Sequence, residues 1–505
     1  MADRIVSWDW GPWDDAPPPS HTEEVQETTN PTLVDPRSIP LEVVEIDKRI
    51  SELEEELSQL KIRRLEAFAT RALITRIPPE ILSRVFELVV HETLQALPTI
   101  SLVSQYWRNL ALETPTLWSY IKLDSDWNYP GAPGSEFTRK IKTFTTRSQA
   151  CKILVDLDFR YCDSLGEARN ILRELQPHLS RCFSFRVSVP DWEWMAAVKE
   201  ACTEMRENLE EVSLRIDPAD SEDLAPVTLL SGVYPRLKSI ILEQTPLACV
   251  HAELPAVRRF YLVRDQRYHS GGRIRVSLKE FLTALTSAEM LEDVRVQSAA
   301  FYLDGTEPIF QRMPTLVAIN RLTDLSISHV DSANVGNFLE SISLPSVVRL
   351  AVQMDSNSDD NMQWLTRISR NCSTRMPSLR HLELRACSVN GAALVPFVSA
   401  LHDLAQLTAL ALISPPSGQI GPRLFNLMAG GPTLTGGWIL PNLQALCVQN
   451  CGDISGHELL RVVRARRGTS VPDVKDVRVL RVVPNTIEDD IIDVLRQNVD
   501  SLQTN

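Results

Sequence analysis

Residues 377–384 read Pro-Ser-Leu-Arg-His-Leu-Glu-Leu, and Leu379, Leu382 and Leu384 define a Leu-x-x-Leu-x-Leu template. The last two leucines stand two residues apart, the spacing at which β-strand side chains point to the same face. The template recurs through most of the chain. Its other occurrences are Leu209/Val212/Leu214, Leu237/Ile240/Leu242, Val257/Phe260/Leu262, Leu291/Val294/Val296, Leu322/Leu325/Ile327, Val347/Leu350/Val352, Leu407/Leu410/Leu412, Leu443/Leu446/Val448 and Val474/Val477/Val479.

The interval between occurrences averages about 29 residues, and helical patterns lie between them at 277–291, 335–342, 392–404 and 457–463. A strand plus a helix at that period is typical of a leucine-rich repeat. No repeat buries its own apolar face, so such an array is stable only as a stack. We therefore predict an α/β solenoid, an irregular leucine-rich-repeat horseshoe, over 122–505. The alternative is a generic α/β globular domain whose leucine spacing is a coincidence.

The ends of the array match the template less well. Earlier strands are predicted at 152–159 and 183–187. The segment 486–502 places Ile487, Ile491, Leu495 and Val499 on one helical stripe, which predicts a capping helix. Cys447 and Cys451 are interpreted as buried repeat residues.

Residues beside the inward leucines should face the concave side of the sheet. They are Ser213, Arg215, Ile241, Glu243, Tyr261, Val263, Arg295, Gln297, Glu383, Arg385, Ala411, Ile413, Arg478 and Leu480. Aromatic and arginine side chains are the usual anchors of protein interfaces. Tyr261, Arg295 and Arg385 are therefore the candidates for binding a protein substrate, whose identity the sequence leaves open.

A helical unit precedes the array and begins at 77–86, Ile-Pro-Pro-Glu-Ile-Leu-Ser-Arg-Val-Phe. Prolines pre-set a helix start, and Glu80 sits at the positive end of the helix dipole. An apolar stripe follows, formed by Ile81, Leu82, Val85, Phe86 and Val89. A second helical pattern runs over about 99–112 and ends at Thr114, the residue before a proline.

This unit spans roughly 45 residues, near the size below which one core seldom suffices. It nevertheless carries Phe86, Trp107 and Trp118 beside its aliphatic residues. The surplus of apolar side chains predicts a partner surface. An ordinary small helical subdomain packed on the rest of the chain is the alternative.

The unit resembles the F-box, the motif that docks substrate receptors onto the Skp adaptor of cullin-type ubiquitin ligases. The resemblance covers 77–121 and rests on the Pro-x-Glu-Ile-Leu start, the Trp107-Arg108 pair and the ending Thr-Pro-Thr-Leu-Trp at 114–118. Ile77 replaces the usual leucine, and Ser104 and Tyr106 replace the usual cysteine and basic residue. Those changes are expected to alter the affinity for the adaptor without abolishing the docking mode.

The resemblance implies an F-box at 73–121 in the substrate-recognition subunit of a Skp–cullin–F-box ligase, a chain that catalyses nothing itself. Its partners would be a Skp-type adaptor, through it a cullin, and a protein substrate. The implied adaptor-binding residues are Ile77, Pro78, Glu80, Ile81, Leu82, Val85, Phe86, Leu102, Val103, Trp107 and Trp118. A leucine-rich-repeat scaffold without a ligase role is the alternative, and an enzyme with a site assembled between repeats is a further one.

The segment 41–72 carries apolar residues at alternating spacings of four and three, which predicts a coiled-coil seam. These residues are Ile46, Ile50, Leu53, Leu57 and Leu60. We prefer a helix packed back on the following unit over a dimerising coiled coil. A heptad helix leading into the Ile-Pro-Pro-Glu start resembles F-box proteins of mushroom-type fungi.

Residues 1–40 are predicted to be a disordered acidic tail, because Asp14-Asp15, Pro17-Pro18-Pro19 and Glu23-Glu24 stand in a polar run. Trp8, Trp10 and Trp13 within it form either a linear docking motif or a chance cluster.

Several function classes are disfavoured by the sequence. A net charge of −13 argues against nucleic acid as a partner. The sequence contains no run of about eighteen apolar residues, so we predict no membrane-spanning helix. Nine cysteines without a Cys-x-x-Cys pair predict neither zinc nor disulfides, in keeping with an intracellular, cytoplasmic or nuclear, soluble protein. No phosphate-binding loop or metal-ligand spacing is present, so we expect no metal, no cofactor and no catalytic residues.

Overall fold

The computed structural model describes residues 41–71, 74, 77–93, 96–123, 133–201, 205–217, 227–264, 274–302, 316–354, 362–387, 389, 393–413, 420–430, 437–451, 454–467, 474–483 and 487–504. The chain divides after Ile81 into two compact units, 1–81 and 82–505. The predicted disordered tail, with Trp8, Trp10 and Trp13, lies outside the described residues.

The α-helices of the described residues are α1 Leu41–Arg71, α2 Pro79–Glu92, α3 Ala96–Val103, α4 Gln105–Glu113, α5 Pro133–Arg147, α6 Leu165–Leu175, α7 Trp192–Ala201, α8 Leu278–Ser287, α9 Ser332–Glu340, α10 Gln363–Ser369, α11 Cys372–Arg375, α12 Leu394–Asp403, α13 Pro422–Ala429, α14 Gly456–Arg467 and α15 Asp489–Asn498. None of these helices has the length and apolar character needed to cross a bilayer.

The strands are β1 Tyr120–Leu123, β2 Ile153–Asp158, β3 Cys182–Val189, β4 Glu211–Ile216, β5 Leu230–Val233, β6 Ser239–Glu243, β7 Val250–Glu253, β8 Arg259–Val263, β9 Ile274–Ser277, β10 Asp293–Gln297, β11 Ala299–Tyr302, β12 Val317–Ala318, β13 Asp324–Val330, β14 Ile342–Ser343, β15 Arg349–Met354, β16 His381–Arg385, β17 Ala409–Ile413, β18 Ala445–Gln449, β19 Val479–Val483 and β20 Ser501–Gln503.

Fourteen of these strands form one parallel sheet in residues 82–505. Its order is β1-β2-β3-β4-β6-β8-β10-β13-β15-β16-β17-β18-β19-β20, so neighbours in the sheet follow one another along the chain. Two-stranded parallel ladders join β5 to β7, β9 to β11 and β12 to β14. Parallel neighbours need a crossover connection, and helices or short ladders lie between successive main-sheet strands. The class is α/β, as the sequence predicts.

The template residues meet in register across this sheet. Leu350 lies opposite Leu382, Leu382 opposite Leu410, and Leu410 opposite Leu446. All four side chains are buried. Adjacent strands are about 4.8 Å apart, so each leucine packs on its equivalents in the neighbouring strands. The core of the sheet is therefore a set of apolar columns that run across the strands.

A left-handed backbone residue recurs at one fixed position in several repeats, two residues after the last template residue. Gln244, Ser298, His329, Ala386 and Asn450 all have φ between 51° and 54°. The amide of Ala386 donates to the carbonyl of Ile413 on the next strand, at 2.7 Å. The amides of Gln244, Ser298 and Asn450 make the equivalent bond at 2.8–2.9 Å. The backbone conformation is therefore the same at this position in each of these repeats, although the residue type differs.

The last predicted strand is out of register by three residues. The observed strand β19 places Leu480 opposite Leu446 and Val482 opposite Val448. Both residues are buried, whereas Val479, predicted to point inward, is exposed. Val477/Leu480/Val482 satisfies the template as well as Val474/Val477/Val479 does, and only pairing with β18 distinguishes them.

The carboxyl-terminal cap is also shorter than predicted. Helix α15 covers 489–498 rather than 486–502, and Ile491 and Leu495 are its buried residues. The chain then continues into β20, which pairs with β19 and places Leu502 opposite Leu480. At the other end, β2 and β3 match the predicted strands, while β1 begins two residues after Trp118 and is absent from the prediction.

Relief of the left-handed strain at Ala386 should stabilise the sheet. A non-glycine residue in this region costs about 1–2 kcal/mol, so Ala386→Gly should raise the free energy of unfolding by about 1 kcal/mol, measured by urea denaturation. Ala351→Gly in the ordinary strand β15 is the matched control and should lower it by roughly 0.5–1 kcal/mol. Destabilisation by both variants would contradict this interpretation.

Candidate functional site

Helix α2 carries two adjacent apolar faces. Leu82, Phe86 and Val90 are four residues apart and form its buried face. Val85 and Val89 lie about 60–100° further around the helix, Leu88 lies about 160° around it, and all three are exposed, Val85 by 47%. The broad stripe predicted from the sequence is thus divided between the interior and the surface.

The buried face of α2 holds the helices around it together. The rings of Phe86 and Trp107 lie 4.8 Å apart between centroids. Trp118 is 99% buried: its indole donates to the carbonyl of Ala111 at 2.9 Å, and the Arg147 guanidinium lies 4.4 Å above its ring. Three of the implied adaptor-binding residues, Leu82, Phe86 and Trp118, are therefore buried and pack in the interior of the protein.

A second exposed apolar set lies where α3 meets α4. The sequence predicts one helix over 99–112, but Ser104 adopts an extended conformation and caps α4 by accepting a hydrogen bond from the Trp107 amide. The break leaves Leu102 and Val103 at the end of α3, exposed by 53% and 57%. Tyr106 is exposed beside them in sequence.

The remaining implied adaptor-binding residues are Ile77, Pro78, Glu80 and Ile81 in the first unit and Trp107 in the second. Ile77 is half-buried, and Pro78, Glu80 and Ile81 are exposed. Trp107 is half-buried. The sequence reasoning missed Leu88 and Tyr106. Helical spacing from Ile81 and Val85 is the signal that would have found Leu88.

Polar contacts fix the short helix Pro115–Trp118 against α2. The Thr116 hydroxyl donates to the Glu87 carboxylate at 2.5 Å, and Arg84 pairs with the same carboxylate at 2.6 Å. Burial is the largest influence and raises the pKa of Glu87, but the bonds from Thr116 and Arg84 together bring that pKa below its usual value. Glu87 is thus held as a carboxylate.

The second candidate surface is the open face of the main sheet, formed by the strand residues that alternate with the buried template positions. Tyr261 on β8 and Arg295 on β10 are directly opposite each other there. The Arg295 guanidinium lies 4.5 Å above the Tyr261 ring, and the Tyr261 hydroxyl donates to Asp293 at 2.5 Å. Burial, followed by that carboxylate, raises the pKa of Tyr261. The two predicted anchors therefore form one preorganised cluster.

Arg385, the third predicted anchor, lies three strand steps from β10 and belongs to a separate network. It pairs with Glu383, which also accepts from Arg349 at 2.7 Å. Arg349 in turn pairs with Asp324 at 2.9 Å. Burial raises the pKa of Glu383 most strongly, yet the hydrogen bonds from Arg349 and Arg385 lower it overall. Arg385 nevertheless leaves about half of its side chain exposed.

Charged residues of the open face are largely neutralised by neighbours one or two strands away. Arg259 pairs with Glu211 at 3.1 Å, and Arg215 with Glu243 at 3.5 Å. The face then changes character on β17 and β18, where Ala409, Ala411, Ala445 and Cys447 replace the charges. Cys447, predicted to be buried, is half-buried on this face, whereas Cys451 is fully buried.

The sequence prediction of the open face was incomplete and partly wrong. Asp293 lies two residues before the predicted Arg295 on the same strand, so the alternation along β10 would have found it. Asp324 and Arg349 are absent from the prediction because it names no open-face residue on the template strands that became β13 and β15. Leu480 is buried in β19, and Arg478 precedes that strand. The residues of β19 that alternate with its buried positions are Val479, Arg481 and Val483.

Within the described ranges, no group of three or more histidine, cysteine, aspartate or glutamate side chains is arranged to hold a metal ion. Burial raises the pKa of the thiols of Cys162, Cys182 and Cys249 to about 12. These thiols therefore stay protonated at neutral pH and are poor nucleophiles. What the two surfaces offer chemically is apolar contact and paired charge, which suits binding.

No known family's sequence profile matches the chain, and no curated protein matches it. Among solved structures, it is similar to a protein of Bacteroides fragilis whose crystal structure comes from a structural genomics consortium. The identity is 11%, the TM-score is 0.29, and the match covers 74% of this chain and 81% of that one.

The division of α2 into two faces predicts opposite outcomes for adjacent truncations. Phe86→Ala removes a buried ring and should lower the free energy of unfolding of residues 82–505 by about 3–5 kcal/mol. Val85→Ala removes an exposed side chain and should change it by less than about 0.5 kcal/mol. Urea denaturation of the full chain measures both, and equal losses would contradict the assignment of faces.

Proposed function

We propose that the chain is the substrate-recognition subunit of a Skp–cullin–F-box ubiquitin ligase. In this proposal α2–α4 dock the Skp-type adaptor, and the open face of the sheet holds a protein substrate. The observation that carries the proposal is the exposed apolar surface on α2 and at the α3–α4 junction, found within the segment that resembles an F-box.

The exposed surface supports a docking role because water contact with large apolar side chains is unfavourable. Covering one valine or leucine completely contributes roughly 1.5–3 kcal/mol. Val85, Leu88, Val89, Leu102 and Val103 each expose more than two-fifths of their surface. Association and ordering costs remove a large part of the gain, so a set of several such residues is needed for a stable contact.

The second part of the proposal is that residues 122–505 form a leucine-rich-repeat horseshoe. It is supported by the parallel strands at the template positions, their register, and the left-handed residue that recurs after them. In such an array the open face is the concave surface, which repeat proteins use for binding. Tyr261, Arg295 and Arg385 stay our candidates for anchoring a substrate there.

The proposed mechanism requires no chemistry from this chain. Bound to adaptor and substrate together, it would hold the substrate's lysines near the ubiquitin-charged enzyme. Tethering of this kind raises the effective concentration of one reactant for the other, to the millimolar range for short connections. A leucine-rich-repeat scaffold without a ligase role would use the same open face but would leave the α2–α4 surface without an adaptor.

Binding to a purified Skp-type adaptor tests the proposal directly. The triple variant Val85→Glu/Leu102→Glu/Val103→Glu should weaken adaptor binding by at least about a hundred-fold, measured by calorimetry, because three apolar contacts are replaced by charges that must be desolvated. All three side chains are exposed, so its urea midpoint should not change.

The matched control is Val348→Glu/Val395→Glu/Leu427→Glu, which adds the same charge at three exposed apolar positions elsewhere. It should bind the adaptor like the natural chain. Absence of adaptor binding by the natural chain itself would reject the ligase role and favour the scaffold.

The substrate face has its own test. Tyr261→Ala/Arg295→Ala/Arg385→Ala should reduce recovery of the proteins that co-purify with the natural chain at least about ten-fold, because the preorganised aromatic and arginine contacts are lost. Adaptor binding should be retained. Arg173→Ala/Arg423→Ala, on the exposed sides of α6 and α13, is the control. Equal loss of adaptor and co-purifying proteins would indicate misfolding. Unchanged recovery of the co-purifying proteins would contradict the assignment.

A further inference from the structure

Helix α1 carries an apolar seam that the proposed function does not use. Every described side chain from Glu42 to Arg64 is exposed. The seam leaves between about two-fifths and three-fifths of each of its side chains open to solvent, and its residues are Val43, Ile46, Ile50, Leu53, Leu57 and Leu60. A single amphipathic helix gains most of its stability from packing that face against another element. The seam therefore needs a cover.

We propose that α1 of a second copy of this chain covers these side chains, in a parallel, in-register, two-stranded coiled coil. This proposal replaces the packed-back helix preferred from the sequence, because no described side chain of residues 42–64 is buried. The six seam residues alternate at intervals of three and four, the spacing at which two helices supercoil around each other. In heptad positions, Val43, Ile50 and Leu57 occupy a, and Ile46, Leu53 and Leu60 occupy d.

The residue types at these core positions determine how many helices associate and whether they run parallel or antiparallel. β-Branched residues at a with leucine at d favour parallel dimers. Val43 and Ile50 at a, with Leu53 and Leu60 at d, follow that preference, and Ile46 and Leu57 depart from it. Four of the six core positions thus favour two parallel strands.

The flanking charges of two copies are complementary in the same arrangement. A parallel coiled coil places each g residue beside the e residue five places further along the other helix. Arg49 then faces Glu54 of the second copy, and Glu56 faces Lys61 of the second copy. The like-charged pair, Glu42 with Asp47, falls at the amino-terminal end, where helices fray and repulsion costs least.

An antiparallel pair that keeps all six core positions would be less favourable. It would set Arg49 beside Glu56 and Glu42 beside Arg63 of the second copy, but also Asp47 beside Glu54 inside the paired segment, so its flanking charges give it no advantage over the parallel pair. It would also mix a and d residues in every layer and lose the β-branched preference. Arg64, at the next a position, ends the seam in either case, so the dimer has about three heptads and should dissociate on dilution.

A dimer would place two substrate faces in one particle, a consequence that rests on the proposed function. A substrate with two recognition sites would then bind by avidity, which exceeds either single affinity by about 10²–10⁴ when both sites can be engaged. Dimerisation itself does not depend on that function, and adaptor binding by a monomeric variant would separate the two.

Light scattering of the full chain over a wide concentration series tests the dimer. The natural chain should approach twice its single-chain mass at high concentration and fall to the single-chain mass on dilution. Ile50→Glu/Leu57→Glu puts like charges at two core layers and should be a monomer throughout. Ser51→Glu/Ser58→Glu adds the same charge at the neighbouring positions outside the core and should still dimerise.

Oxidative cross-linking tests the direction. In the parallel arrangement Leu60→Cys faces its own copy and should form a reducible dimer. In the antiparallel one the two cysteines would lie about 26 Å apart and should not react. The natural chain, with nine cysteines, is oxidised alongside as the background.

Two results would overturn the proposal. A single-chain mass for the natural protein at every concentration, or an unchanged dimer in Ile50→Glu/Leu57→Glu, would remove the role of the seam. Cross-linking of Val43→Cys/Leu60→Cys without cross-linking of Leu60→Cys would establish the antiparallel pair instead.

Discussion

The structure of residues 82–505 depends on one constraint: a strand with two or three inward apolar residues cannot bury them alone. Each leucine column is completed only by the strands on either side, as with Leu382 between Leu350 and Leu410. Register must therefore be kept across the sheet, because a slip of one residue would turn the apolar set to solvent. The left-handed residue after several strands, such as Ala386, holds this register through its amide bond to the next strand.

That constraint also determines the character of the open face. Because side chains alternate along a strand, every inward leucine fixes an outward neighbour, and parallel register brings outward neighbours of adjacent strands together. Asp324, Arg349 and Glu383 become one ion-paired network in this way, although 59 residues separate the first from the last in sequence. These ion pairs fix the outward side chains of neighbouring strands relative to one another. A preorganised face loses less entropy on binding.

The two exposed apolar surfaces differ in origin. On α2 the apolar stripe is wider than the interior can cover, so Val85 stays outside while Phe86, its neighbour in sequence, is buried. On α1 the stripe is a narrow heptad seam with charges on both sides, the pattern of a helix that pairs with another helix. The stripe on α2 is partly buried in the interior, whereas the seam on α1 has no buried residue. We therefore propose different partners for them: a Skp-type adaptor for α2 and a second copy of the chain for α1.

The sequence alone determined the α/β class, most strand positions and the apolar excess near residue 80, because periods of two and 3.6 are local properties of the chain. Only the tertiary structure decided which template triplet forms β19, that Ser104 separates α3 from α4, and that Trp118 is interior. It also joined Tyr261 to Arg295 and removed Leu480 from the open face. Each of these outcomes depends on contact with a residue distant in sequence. The local spacing of apolar residues does not encode such contacts.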